Sequence, residues 1–162
     1  MPGKFAMGWV NTMALSAVLA GFAGQANLAS AADVASGPTV SERLATARKA
    51  IDAKDWSKAM ADLNQAARDE PRNADVHNLL GYTYRKRATP DLAKAFEHYN
   101  TALRINPNHK GANEYIGEAY LADKKPAEAE KHLARLETIC GNKTCEEYAD
   151  LFKSIADYKS KN

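Results

Sequence analysis

The residues best equipped for chemistry in this 162-residue chain are two cysteines, Cys140 and Cys145, and four histidines, His77, His98, His109 and His132. The cysteines are separated by Gly141-Asn142-Lys143-Thr144. A dithiol redox centre favours two intervening residues and surroundings that hold one sulfur as thiolate, so this wider spacing speaks against redox work. A zinc site would need two further ligands. The nearest histidine, His132, lies eight residues before Cys140, a separation that matches no familiar zinc pattern. No histidine stands in a nucleophile motif with Ser or Cys. The chain also lacks H-E-x-x-H, a P-loop and G-x-G-x-x-G. These residues point away from an enzyme and call for no metal and no cofactor.

The N-terminus decides how the cysteines are read. Lys4 is the only charged side chain before Asp33. An apolar run, Met13 to Ala23, precedes the small-residue triplet Ala29-Ser30-Ala31. A positive start, a short apolar segment and A-x-A form a secretory signal, with cleavage expected after Ala31. The charge-free span from Phe5 to Ala32 is long enough to cross a bilayer. Asn11, Gln25 and Asn27 interrupt it, however, and its dense apolar part has signal-peptide length. The expectation is therefore a leader over 1–31, no stable membrane insertion after cleavage, and a periplasmic or secreted protein. Export places Cys140 and Cys145 in an oxidising compartment, where an even cysteine count argues for a disulfide. So small a loop would contribute about 2 kcal/mol. The alternative is a thiol-redox or metal-handling protein using the same two cysteines.

Charge is balanced, with 22 basic and 20 acidic residues, which gives neither a nucleic-acid footprint nor an acidic tail. Residues 32–39 read as a flexible lead-in. Thr39 and Glu42 then form a capping box that opens a helix. Beyond it no segment alternates with period two for long, and Gly and Pro fall between helical stretches, so the chain reads as all-α.

Internal similarity organises the rest. Gly81-x-x-Tyr84 recurs as Gly117-x-x-Tyr120, 36 residues on, each preceded by an apolar residue, Leu80 or Ile116. Ala59-(x3)-Leu63-(x2)-Ala66-(x4)-Pro71 recurs as Ala95-(x3)-Tyr99-(x2)-Ala102-(x4)-Pro107. A third copy, Ala129-(x3)-Leu133-(x2)-Leu136, departs at Gly141. This resembles the tetratricopeptide-repeat (TPR) pattern over about residues 40–141. Gly and Ala let two helices approach, a large residue fills the space between pairs, and Pro ends the second helix. The resemblance implies an α-solenoid of three TPR helix pairs, about 40–73, 74–109 and 110–141, followed by a capping helix and tail over 142–162. Helices are expected at 41–53, 56–69, 74–87, 91–104, 109–122, 126–139 and 146–159. The first repeat is degenerate, with Thr46-Ala47 and Ala50 at the signature places. Gly81 and Ala95 are fourteen apart, against twelve for Ala47–Ala59 and Gly117–Ala129, so the turn at 87–91 carries two extra residues. In the last helix Tyr148, Leu151, Phe152, Ile155 and Tyr158 form an apolar face to cover the end of the stack, with Thr144 and Glu147 as a candidate capping box.

Exported repeats ending in a Cys140…Cys145 tail look like small TPR proteins of the proteobacterial envelope, which implies a periplasmic setting without a defined activity. TPR arrays bind partners along their first helices. By that analogy the groove positions are Leu44, Arg48 and Ile51, then Asp75, Asn78, Tyr82 and Arg85, then Glu114, Tyr115, Glu118 and Leu121. The core of this set, Arg48, Asn78, Tyr82, Arg85, Glu114, Tyr115 and Glu118, suits a peptide segment of another envelope protein. Glu114 and Glu118 stand where a clamp for a C-terminal carboxylate would want positive charge. His77 is expected between helices, and His98 and His132 mostly on the outer side. Homo-oligomerisation through the repeat ends stays open.

Overall fold

The computed structural model describes residues 37–161; the expected leader at 1–31 and most of the lead-in lie outside the described residues. The described residues form seven helices and no strand: α1 (Val40–Asp52), α2 (Trp56–Asp69), α3 (Ala74–Lys86), α4 (Leu92–Ile105), α5 (Lys110–Ala122), α6 (Pro126–Cys140) and α7 (Glu146–Lys161). Helix α1 packs on α2, α3 on α4 and α5 on α6; successive pairs stack through α2–α3 and α4–α5, and α7 lies against α5 and α6.

Local chemistry starts and stops these helices. Thr39 and Glu42 make the reciprocal capping box at α1. Asp55, Asn73 and Asp91 each accept a backbone N–H at the starts of α2, α3 and α4. His109 does the same for α5 with Nδ1, so this histidine is a helix cap as well as a turn residue. Pro126 opens α6, where its missing N–H is no loss. Gly141 ends α6 at φ 68°, the left-handed conformation that glycine adopts without strain.

The inserted turn shows how the repeat absorbs two residues. In the first and third pairs a three-residue turn is closed by Asp55 N–H donating to Ala50 O and Lys125 N–H to Tyr120 O, both at 2.8 Å. The second pair makes the equivalent bond, Asp91 N–H to Tyr84 O at 2.9 Å, across two more residues. Lys54 and Lys124 turn the short connections at φ 58° and 59°. The longer one has no such residue and is held by Arg87, which donates to Thr89 O at 2.8 Å and stacks on Tyr84.

Small residues set the helix spacing. A Cβ on Gly81 would lie 2.6 Å from the Tyr99 ring, and one on Gly117 would lie 2.6 Å from Leu151 of α7. Ala47, Ala59, Ala66, Ala95, Ala102 and Ala129 are fully buried. Three apolar clusters follow the stack, one around Val76 and Leu63, one around Tyr99 and Ile116, and one around Leu136 and Leu151.

Several expectations need correction. Phe152 does not join the covered face of α7: Tyr148, Leu151 and Ile155 are buried, but Phe152 is 55% exposed. It follows Leu151 by about 100° around the helix and so turns outward. Thr144 does not cap α7; its hydroxyl donates to Asn142 Oδ1 at 2.9 Å and the helix begins at Glu146. His98 and His132 are half-buried rather than on the outer side. His98 stacks on His77 and Tyr84, and His132 on Tyr120.

Candidate peptide-binding groove

The first helices of the three pairs, α1, α3 and α5, carry the predicted groove positions. Glycine at 81 and 117 brings α3 and α5 tight against their neighbours, which leaves Tyr82 and Tyr115 free to meet across the gap at 4.9 Å between ring centroids. Arg48, Ile51, Asp52, Leu79, Tyr82 and Tyr115 line one cavity of about 220 Å³. A second cavity, about 260 Å³, is lined by Arg48, Asn78, Glu114 and Tyr115 together with Asp75, His109, Gly111 and three acids of α7, Glu146, Glu147 and Asp150.

Beneath the tyrosines sits the pair Arg85 and Glu118. Arg85 Nη2 donates to Glu118 Oε2 at 2.5 Å and its Nε donates to Tyr99 Oη at 3.3 Å. Ser154 of α7 donates to the other Glu118 oxygen at 3.1 Å. The guanidinium also lies 5.5 Å from the Tyr82 ring centre and 5.7 Å from that of Tyr115. Burial opposes the charge on Arg85, but Tyr99 and Glu118 outweigh it and hold the guanidinium firmly protonated. These two predicted contact residues therefore hold α3, α5 and α7 in place, and their polar atoms are already engaged within the chain.

Burial dominates the acid–base behaviour of the remaining groove. It pushes the Glu114 carboxyl up to about 8, assisted by Glu118, Asp150 and Glu147 and opposed by Arg85. It also raises the Tyr82 phenol and pushes Tyr115 up to about 12. Arg48 reaches Asp75 at 3.9 Å, and the same carboxylate oxygen is 3.2 Å from His109 Nε2.

Two predicted groove residues are mainly core. Leu44 packs against the first apolar cluster and Leu121 is buried in the third. What the repeat analogy missed is α7, whose Glu146, Glu147 and Asp150 close one end of the groove. The i, i+3 spacing of Glu147 and Asp150, beside the buried Tyr148 and Leu151, is a sequence sign of a polar edge flanking the covered face.

Cys140 and Cys145 are joined as a disulfide, with Cα atoms 6.3 Å apart. Neither sulfur offers a thiolate in this state. A Glu147 carboxylate oxygen lies within 4.8 Å of both sulfurs, and no fourth donor joins them among the described residues. A neighbouring carboxylate disfavours the thiolate that a reactive cysteine requires.

Three stacked helix pairs with a capping helix define the class: an all-α solenoid of tetratricopeptide repeats. Solved structures share the fold. The chain is similar to the TPR2B domain of yeast Sti1, solved in a complex with pHsp70, at a TM-score of 0.66 and 16% identity over 76% of this chain and 98% of that one. It is also similar to the first TPR domain of human RPAP3, at 0.61 and 16% identity with the same coverage. No family model matches the sequence, and neither does any curated protein.

Proposed function

We propose that the protein is a periplasmic interaction module, an adaptor or assembly factor, that holds a segment of another envelope protein in the groove of α1, α3 and α5. The observation that carries this reading is the meeting of Tyr82 and Tyr115, from two different repeats, over one cavity that Arg48 of the remaining repeat also lines. Two aromatic faces and a charged rim supply apolar contact with hydrogen-bonding edges, the composition of recognition surfaces. The export pattern of residues 1–31 supports an envelope location. Among the described residues no helix is long and apolar enough to cross a membrane. Generally this fold serves as a scaffold rather than an enzyme.

The test compares capture from periplasmic extract by the wild-type protein and by a Tyr82→Ala/Tyr115→Ala double variant. Loss of a specific captured protein, with helicity unchanged, supports the groove. If every captured partner is retained, the groove assignment is wrong. Fractionation of cells, with the mature N-terminus read by mass spectrometry, checks export: an uncleaved cytoplasmic chain contradicts it.

A further inference from the structure

The cavity at the α5–α7 end of the groove has an unbalanced charge. Glu114 enters it from α5, and Glu147 and Asp150 enter from α7. Among the described residues no basic side chain lies within ion-pair distance of any of the three. Arg48, which also lines the cavity, is paired with Asp75, and Arg85 is paired with Glu118.

A second, independent feature points the same way. Asn78 of α3 lines this cavity and is only 6% exposed, yet its Oδ1 finds no hydrogen-bond partner among the described residues. A buried carboxamide oxygen without a donor is costly, and such groups usually mark a place for a ligand or a water. Gly111 keeps the space beside it open, since a Cβ there would approach Asn78 Nδ2 to 3.1 Å. An orphan acceptor beside the Glu147 and Asp150 carboxylates calls for a donor that carries positive charge. Tyr115 also lines the cavity, and its ring can face a cation.

The geometry points to a pocket for one cationic side chain, a lysine or arginine of the bound segment, held by Asn78, Glu114, Glu147 and Asp150 at the end of the groove. This rests on the groove being the peptide site, and it makes that site selective: an anionic tail is repelled here, whereas a basic residue gains charge-assisted hydrogen bonds. The volume, about 260 Å³, accommodates an ammonium or guanidinium with part of its stem.

The test pans the purified protein against a library of short random peptides and measures binding of the selected sequences by fluorescence anisotropy. Selected peptides should share a Lys or Arg at one position, and replacing it with acetyl-lysine or citrulline should weaken binding by about tenfold. The double variant Glu147→Gln/Asp150→Asn should weaken the basic peptide to a similar degree and leave the neutralised peptide unaffected. Tyr82→Ala should weaken both. Peptides that need Tyr82 but show no basic position would overturn the pocket and leave the groove standing. Failure to enrich any peptide would overturn both. Saturable binding of calcium alone, lost in the double variant and competitive with peptide, would also overturn the proposal by giving the pocket to a metal.

Discussion

Arg85 and Glu118 form a direct ion pair between the first helices of the second and third repeats, at 2.5 Å, 33 residues apart in the chain. Tyr99 and Ser154 complete their hydrogen bonding. Because the pair is mostly buried, removing one partner strands the other charge. Arg85→Ala should cost about 2–3 kcal/mol, and Arg85→Lys should recover only part, since a single ammonium cannot serve Glu118 and Tyr99 with the same fork. Urea denaturation of the three proteins measures this; equal stability would show the pair to be incidental.

A repeated polar pair fastens each hairpin, and its second and third copies make the fold sensitive to acid. Arg43 faces Asp62 at 4.0 Å, His77 faces His98 at 3.1 Å, and His132 donates to Asn113 at 3.1 Å, all at equivalent repeat positions. His77 Nε2 lies 3.1 Å from the carbonyl of Pro71 and donates to it, so in the neutral ring His77 Nδ1 accepts from His98. Burial, and for His98 also the neighbouring His77, lowers the pKa of His98 and His132. A lowered histidine pKa means that the unfolded chain takes up protons first. Stability should be complete above about 6.5 and fall as the pH drops below it. His98→Asn should flatten this fall in melting temperatures recorded between pH 7 and 5.

Glu114 gives the opposite slope. Its carboxyl is raised from 4.5 to about 8 by burial first, and then by Glu118, Asp150 and Glu147, against Arg85. Arg48, Asp75 and His109 line the same cavity from α1, α3 and the start of α5. The folded state holds this proton where the unfolded state has lost it, so its contribution is full below about 4.5 and gone above about 8. Glu114→Gln should match the wild type near pH 5 and exceed it at pH 9 by roughly 1–3 kcal/mol. A difference that does not change with pH would contradict the buried, protonated state.

Gly81 is one of two glycines where backbone approach is closest. Alanine is the better helix former, by roughly 0.5–1 kcal/mol over glycine. Its methyl would nevertheless meet the fully buried Tyr99 ring at 2.6 Å. Overpacking should win, with Gly81→Ala destabilised by about 1–2 kcal/mol. Relief by the further change Tyr99→Leu, seen in a denaturation cycle, would place the strain at that contact.

Much of this architecture was legible because its signals are local. Gly81, Gly117, the alanines and Pro71 and Pro107 recur at fixed spacing, and the helices lie within two residues of the ranges read from the sequence. The two-residue insertion was countable before its compensating bond to Tyr84 was visible. The groove was less legible, because burial and pairing depend on neighbours distant in sequence. Arg85 and Glu118 look like free polar contacts until they are found bonded to each other. The acids of α7 reach the groove only because the turn at Gly141, spanned by the cysteines, sets that helix against α5. Phe152 shows the same limit, since an apolar residue at helical spacing can still lie at the edge of the covered face.

The central claim is that the first helices form the binding face. The most direct measurement is backbone amide NMR of the protein titrated with a peptide selected on it. Shift changes should concentrate at Arg48, Asn78, Tyr82, Glu114 and Tyr115 and at the Glu147–Asp150 edge. Changes confined to the outer surfaces of α2, α4 and α6 would contradict the account.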